Sequence, residues 1–417
     1  VNSMLQLEGK YNTAKVYADN IDNSTISQII SILNIESFKD SIIRFMPDCH
    51  AGKGCTVGTT MTIHDKVVPN IVGIDIGCGV LAIKLKETRI DLPSLDSIIK
   101  KYVPSGASAN KQAKVVNNEL DDLLFRKYNG KYRGELANAS LGTLGGGNHF
   151  IEIDRDEQSG ELWLLIHTGS RHLGIEVCDF YQKVAYLELK REVNGGSREE
   201  HRKKFIEEIK KTKGVKEINK ELKRFDKEYR EVEPSVPYEL AYLTGEWLDR
   251  YIHDMRITQR HAALNRSTIA KAILKNAKLH EVDRIDTIHN YIDTDNMIIR
   301  KGAVSAQVGE RLVIPINMRD GTLLCTGKGN PDWNFSAPHG AGRLYSRSET
   351  KSRVSMSEYK EAMKEAGVYS TSISTGTLDE CPMAYRDIKT ILSSVTETVE
   401  INSILRPIYN FKAGKED

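Results

Sequence analysis

The sequence predicts an α+β fold, mixed β-sheets with surrounding helices in a single catalytic domain spanning 1–417. Two observations predict it. Short apolar runs that end in glycine-rich loops recur along the chain, as in RFMPDCHAGKGCTVG, LGTLGGGNHFIEI and LWLLIHTGSR. This is how mixed folds set polar groups at the ends of strands. A block from about 175 to 270 breaks that rhythm. It is dense in Lys, Arg and Glu at helical spacing, and it reads as a charged helical insertion or arm within the domain.

The first elements follow from hydrophobic spacing. STISQIISILNIES, residues 24–37, repeats Ile and Leu with helical periodicity. A strand end and a glycine loop follow at PDCHAGKG, and 67–84 reads as a strand-loop-strand unit. Within it IVGIDIGCGV, residues 71–80, reads as a buried strand, yet it carries Asp75 and Cys78 among Gly73, Gly77 and Gly79. Residues 108–128 are expected to be helical. Glycine loops then lead into or out of strands at 141–153 and 162–171. The charged block REEHRKKFIEEIKKTKGVKEINKELKRFDKEYREVE is either a solvated arm or a surface that touches RNA directly. After 285, GAVSAQVGERLVIPI and LLCTGKGNPDWNFSAPHGAGR return to strands and glycine loops.

Composition narrows the function classes. A chain of 417 residues exceeds one small core, and its 40% hydrophobic and 28% charged content is ordinary for a soluble protein. Net charge is only +2, so nucleic-acid affinity must come from a local patch. No apolar run reaches the roughly 18 residues of a membrane span. The N-terminal residues lack a signal-peptide pattern, and the expectation is a cytoplasmic chain without membrane contact. The six cysteines form no CxxC pair, which argues against zinc ribbons and thioredoxin-like redox motifs.

The chemistry-bearing residues gather at the loops. His50, His149, His167, His289 and His339, five of the eleven histidines, sit at or near expected strand-loop junctions. Beside them stand Asp75 and Cys78. Imidazole, carboxylate and thiolate together suit Zn, Mn, Fe or Co better than Mg or Ca. One cysteine among several histidines is unlike a closed structural zinc site, so the pattern favours an open catalytic centre with one or two ions. Arg171, Arg343 and Arg347, with Lys328, could hold phosphate; arginines near glycine loops also pair with ordinary surface acids. No Walker A loop or dinucleotide fingerprint is complete.

PDCHAGKG, GIDIGCG, LGGGNHFIE, HTGSR, SAPHGAGR and DECPMAYRD occur in that order. The set resembles the RtcB-type RNA ligases over nearly the whole chain. The resemblance implies a GTP- and Mn²⁺-dependent ligase of RNA repair or tRNA splicing. It would join a 3′-phosphate or 2′,3′-cyclic phosphate end to a 5′-hydroxyl end through a guanylylated histidine, here His339. It implies Asp75, Cys78, His149, His167 and His289 as ligands of two manganese ions, with Cys78 bridging. It implies Asn148, Glu152, Asn317, Tyr385 and Lys412 in the nucleotide pocket, Arg171, Arg343 and Arg347 on RNA phosphates, and Asp48 and His50 supporting the metal site. An archease-like activator is a family expectation. The chain departs from the family at PINM, residues 315–318, where Asn317 replaces a serine in the usual Pro-Gly-Ser-Met. The alternative is a dinuclear metal phosphodiesterase acting on RNA ends, which would need no nucleotidylated histidine.

Overall fold

The computed structural model describes residues 4–130 and 132–413. Its strands, in chain order, are β1 (Leu5–Glu8), β2 (Thr13–Val16), β3 (Ile43–His50), β4 (Val57–Thr62), β5 (Gly79–Leu85), β6 (Phe150–Asp156), β7 (Leu162–Thr168) and β8 (Glu281–Ile288). There follow β9 (Asn290–Asp293), β10 (Ile298–Lys301), β11 (Ala303–Ser305), β12 (Arg311–Asn317), β13 (Gly321–Gly327), β14 (Ser336–Pro338) and β15 (Val399–Phe411). Among the described residues they form a six-stranded sheet β1-β2-β3-β4-β10-β9, a seven-stranded sheet β12-β13-β15-β6-β7-β5-β8 and the small pair β11-β14. Every neighbour pair of the seven-stranded sheet is antiparallel. In the six-stranded sheet β2 and β3 are parallel. The architecture is α+β.

Period-two alternation decides what each face of the larger sheet carries. Leu81 and Ile83, Ile151 and Ile153, and Leu164 and Ile166 point to one face. There they pack against Ile99 of the helix Leu92–Tyr102 and against Ile269 and Ile273 of the helix Gly245–Ala277. Burying each such side chain contributes about 1.5–3 kcal/mol, so this apolar layer fixes the register of the central strands. The intervening residues Phe150, Glu152, Trp163, Leu165 and His167 are thereby committed to the opposite face.

The helix Gly245–Ala277 is buried along Tyr251, Met255, Thr258, Ala262, Arg266, Ile269 and Ile273, a spacing of three and four residues throughout. The charged block contains helices of two kinds. Arg198–Thr212 and Ile218–Glu228 bury only Ile209 between them. The flanking helix His172–Val193 instead buries Leu173, Val177, Tyr181 and Ala185, and so belongs to the core.

Two expected elements differ. Residues 108–128 form loop with short 3₁₀ turns at Asn118–Asp122 and Phe125–Lys127. Side chains capture the backbone donors that a helix would use: Asp254 accepts from the N–H groups of Leu124 and Phe125 at 2.8 Å, and Asn117 Oδ1 accepts from Glu119 N–H. Residues 67–78 form no strand before the site. Pro69–Val72 is one helical turn, a loop follows, and β5 begins only at Gly79. Among the described residues no helix is long and apolar enough to cross a membrane.

Candidate metal centre and nucleotide pocket

The loop Gly73–Cys78 reaches the sheet because glycine permits close approach at two places. Gly77 has φ 73°, and a Cβ there would lie 2.8 Å from Gln259 Cα of the long helix. A Cβ on Gly169 would lie 2.0 Å from Asp75 Oδ1, so the HTGSR glycine leaves the space that the Asp75 carboxylate fills. From the helix, Arg266 donates to the carbonyls of Gly77 at 2.8 Å and Thr168 at 3.0 Å, and pairs with Asp286 at 2.8 Å. Its neighbour Asn265 bonds to Gly142, Thr143 and Gly169. Two adjacent helical side chains therefore fasten three glycine loops to one another.

Those loops bring the expected ligands together. Cys78 Sγ lies 3.5 Å from His149 Nε2 and 3.4 Å from His167 Nε2. His167 Nε2 is 3.5 Å from His289 Nε2, and His149 Nε2 is 3.1 Å from Asp75 Oδ2. His149 Nδ1 lies 2.9 Å from the Leu144 carbonyl and His167 Nδ1 3.2 Å from the Asn148 carbonyl. A carbonyl only accepts, so each ring keeps a proton on Nδ1 and turns Nε2 toward the cluster. Burial, with neighbouring positive charge, pushes His167 and His289 well below the usual histidine range. Burial also raises the Cys78 thiol, and Asp75 adds to that rise. Desolvation works against the Asp75 carboxylate, but the hydrogen bond and charge of His149 outweigh it and hold the group at about 2. The donors form two sets that share one atom. Cys78, His167 and His289 make one, Asp75, Cys78 and His149 the other, with donor atoms within 4.8 Å in each. Imidazole nitrogens, a carboxylate and a shared sulfur fit two borderline transition-metal ions.

A cavity of about 360 Å³ opens on this cluster, within the range of small-molecule sites. Asp75, Cys78, His167, His289 and His339 line it, with Asn148, Glu152, Asn317, Arg343, Arg347, Tyr385 and Lys412. His149 joins the cluster without lining the cavity. His339 packs its ring 4.9 Å from that of His289. Asp48 Oδ2 is 2.7 Å from His339 Nδ1 and also accepts from the Gly340 N–H. The expectation that Asp48 supports the metal ligands therefore changes, because its carboxylate contacts His339. His50 lines the cavity, with Nδ1 3.0 Å from the Asp48 carbonyl.

The far end of the cavity is a buried charge network. Glu380 meets Arg343 at 3.4 Å, Lys412 at 3.9 Å, and both Arg347 and the Tyr385 hydroxyl. Arg347 also pairs with Asp379 at 2.9 Å. Burial lowers Lys412, against the pull of Glu380 and Glu152, and burial with Glu380 raises the Tyr385 hydroxyl. Glu152 accepts from Asn410 Nδ2 at 2.7 Å. Burial raises its carboxyl to about 7 despite that bond and the charge of Lys412.

Three expected residues are engaged elsewhere. Arg171 is not part of the cavity wall; its guanidinium donates to the Gly106 carbonyl at 2.8 Å and Thr143 Oγ1 at 3.2 Å. Asn317 lines the cavity, but its side chain closes the β12–β13 turn through Asp320 and the N–H groups of Arg319 and Asp320. Lys328 donates to the Thr396 carbonyl, away from the cavity.

Sequence reasoning missed Arg266, Asn265, Lys301 and Glu380. Lys301, 9% exposed, donates to the Asn70 carbonyl at 2.8 Å and lines the cavity. Its signal was legible: Arg300 and Lys301 are adjacent cations inside the strand pattern IIRKGAVS. Glu380 lies in DECPMAYRD, five residues before Tyr385.

The family model described as tRNA-splicing ligase RtcB matches residues 28–139 and 126–413. The chain is 29% identical over 411 residues to the RNA-splicing ligase RtcB of Escherichia coli, covering 88% of each. It is 24% identical to the tRNA-splicing ligase RtcB of Methanococcus maripaludis, over 93% of this chain and 90% of the relative. It is 25% identical to RNA-splicing ligase RtcB homolog 1 of Entamoeba histolytica, over 88% and 78%.

Proposed function

The chain belongs to the RtcB family, and from that premise we propose that it is an RNA ligase that uses GTP and manganese to join 3′-phosphate or 2′,3′-cyclic phosphate ends to 5′-hydroxyl ends. The observation that carries the reading is His339, with the Asp48 carboxylate 2.7 Å from its Nδ1, at the edge of a double donor set and lining a cavity of about 360 Å³. With Asp48 at Nδ1, Nε2 is the free nitrogen and acts as nucleophile.

Asp75, Cys78 and His149 would hold one manganese ion and Cys78, His167 and His289 the other, with the Cys78 sulfur shared. Bound there, manganese supplies charge neutralisation at the phosphoryl oxygens. His339 Nε2 attacks the α-phosphorus of GTP, the P–N bond forms and pyrophosphate leaves. An oxygen of the RNA 3′-phosphate then takes the guanylyl group and frees His339. The 5′-hydroxyl attacks the activated end, the phosphodiester forms and GMP leaves.

Glu152, Tyr385 and Lys412 serve the nucleotide, with Asn148 beside them. Arg347, paired through Nη1 with Asp379 and Glu380, offers its remaining N–H donors to phosphate, whereas the five N–H groups of Arg343 are taken by Tyr345, Glu380, Tyr385, Thr350 and Asp379, so Arg343 holds the wall of the pocket. We assign Arg171 to holding the glycine loop rather than to RNA, since both its bonds run to that region. Asn317 contributes cavity wall. The peripheral arm is Arg198–Glu228, and the helices on either side belong to the catalytic domain.

The test is ligation of two RNA fragments, one ending in 3′-phosphate and one beginning with 5′-hydroxyl, with GTP and Mn²⁺. Joined product that requires GTP supports the reading. Opening of a 2′,3′-cyclic phosphate without joining, under any nucleoside triphosphate, would instead favour the phosphodiesterase.

A further inference from the structure

Asp154 is an anomaly of this fold. It is fully buried on β6, and among the described residues no N–H or O–H donor reaches either of its oxygens. Trp163, its partner across to β7, leaves its own indole N–H unpartnered. The group that Asp154 faces is Glu152, two residues back on the same strand face. Two adjacent buried carboxyls cannot both ionise at neutral pH, so the pair keeps a proton between them.

The surroundings decide which carboxyl holds it. β15 brings Asn410 Nδ2, 2.7 Å from Glu152 Oε1, and Lys412, whose charge favours an anion on Glu152. β7 brings Leu165 and Trp163, neither charged. Glu380 faces Lys412 in turn. Everything that favours negative charge acts on Glu152, and nothing comparable acts on Asp154. The proton therefore stays on Asp154, and Glu152, which lines the cavity, is the first of the two to ionise, at about 7.

We propose that Asp154 is a positioning residue for base selection: its protonated carboxyl donates to Glu152 and keeps Glu152 an acceptor-only carboxylate facing the base. This rests on the reading of Glu152 as a nucleotide contact. A guanine edge presents two adjacent donors, N1–H and the exocyclic amine, which an acceptor-only carboxylate meets as a pair. Adenine places an acceptor at N1 beside its amine, and only a protonated Glu152 could satisfy it. The state of the Glu152–Asp154 pair thus sets the base preference, whatever residue occupies position 317.

The experiment is covalent labelling of the full chain with α-³²P-GTP or α-³²P-ATP and Mn²⁺, from pH 6 to 10, for wild type, Asp154→Asn and Asp154→Val. The amide of Asp154→Asn still donates and should keep the preference for GTP at pH 7. Asp154→Val leaves Glu152 buried without its donor and should lower the GTP-to-ATP ratio about tenfold at pH 7, the effect of one unit of pKa, with recovery toward pH 9. Should Asp154→Val fail to fold, Asp154→Ala, which also lacks a donor, decides by the same ratio at pH 7. Equal ratios in wild type and in every variant that folds overturn the inference alone. A wild type unlabelled by every nucleotide overturns the ligase reading and this inference with it.

Discussion

Asp48 Oδ2 stands 2.7 Å from His339 Nδ1, and the two residues are far apart in sequence, Asp48 in β3 and His339 directly after β14. The carboxylate is fully buried, and its other oxygen has no partner among the described residues. Such a carboxylate beside the ring would favour the positive charge that the imidazole gains in the proposed attack of Nε2 on phosphorus.

Asp48→Asn should therefore slow formation of the covalent nucleotide adduct roughly 10²- to 10⁴-fold, the range seen when a buried carboxylate behind a catalytic histidine is lost. Manganese binding by calorimetry should be unchanged. Equal loss of both would return Asp48 to a role in supporting the metal ligands.

The shared sulfur makes a stoichiometric prediction. Because Cys78 belongs to both donor sets and His149 to one, Cys78→Ala should lose both manganese equivalents in calorimetry. His149→Ala should keep the equivalent held by Cys78, His167 and His289. Two equivalents retained by Cys78→Ala would contradict the bridging role.

Glu152 gives a pH signature in stability. Burial raises its carboxyl from the ordinary value of 4.5 to about 7 in the folded chain. The folded state thus binds its proton more tightly than the unfolded state does. The stability this contributes is full below about pH 4.5 and is lost as pH rises through 7. Glu152→Gln cannot ionise. It should melt above wild type at pH 8, and the difference should vanish near pH 4.5. A difference that is constant with pH would contradict the burial argument.

Arg266→Met should cost roughly 2–4 kcal/mol in urea unfolding, somewhat below the range for fully buried pairs, because Asp286 is 32% exposed. It should also weaken manganese binding, since Arg266 fastens the loops of Cys78 and His167. Lost stability with unchanged metal affinity would confine Arg266 to the core.

The arm can be tested by excision. Asn194 and Val232 are joined by two hydrogen bonds of 2.9 Å, so the chain leaves and returns at one point. Replacing 195–231 with a short glycine linker removes mainly surface pairs such as Arg191–Glu200, each contributing about 0–1 kcal/mol. Adduct formation should persist. If joining of long RNA falls while the adduct persists, the arm contacts the body of the RNA.

Much of this site was legible before any coordinates. Cys78 and His167 were expected at glycine loops and His289 at a strand end, residue types that suit metal ligation, and the fold brings their donor atoms within 4.8 Å of one another. The strand expected over 71–80 was not legible, because an apolar run reads alike as a strand and as a helical turn leading into a buried loop. The helix expected over 108–128 failed where Asp254, over a hundred residues away, takes the backbone donors. Arg266 was hidden for a related reason. On a charged helix its spacing looks like solvated surface, and only the packing of three loops against that turn makes it interior. Glu380 was hidden because its partners, Arg343, Arg347 and Lys412, meet it only in the folded chain.

The most direct measurement is incubation of wild type and His339→Ala with α-³²P-GTP and Mn²⁺, followed by a denaturing gel, with manganese binding measured on both proteins. The account predicts a labelled band for wild type, none for His339→Ala, and retained manganese binding in both. A labelled His339→Ala band would contradict it.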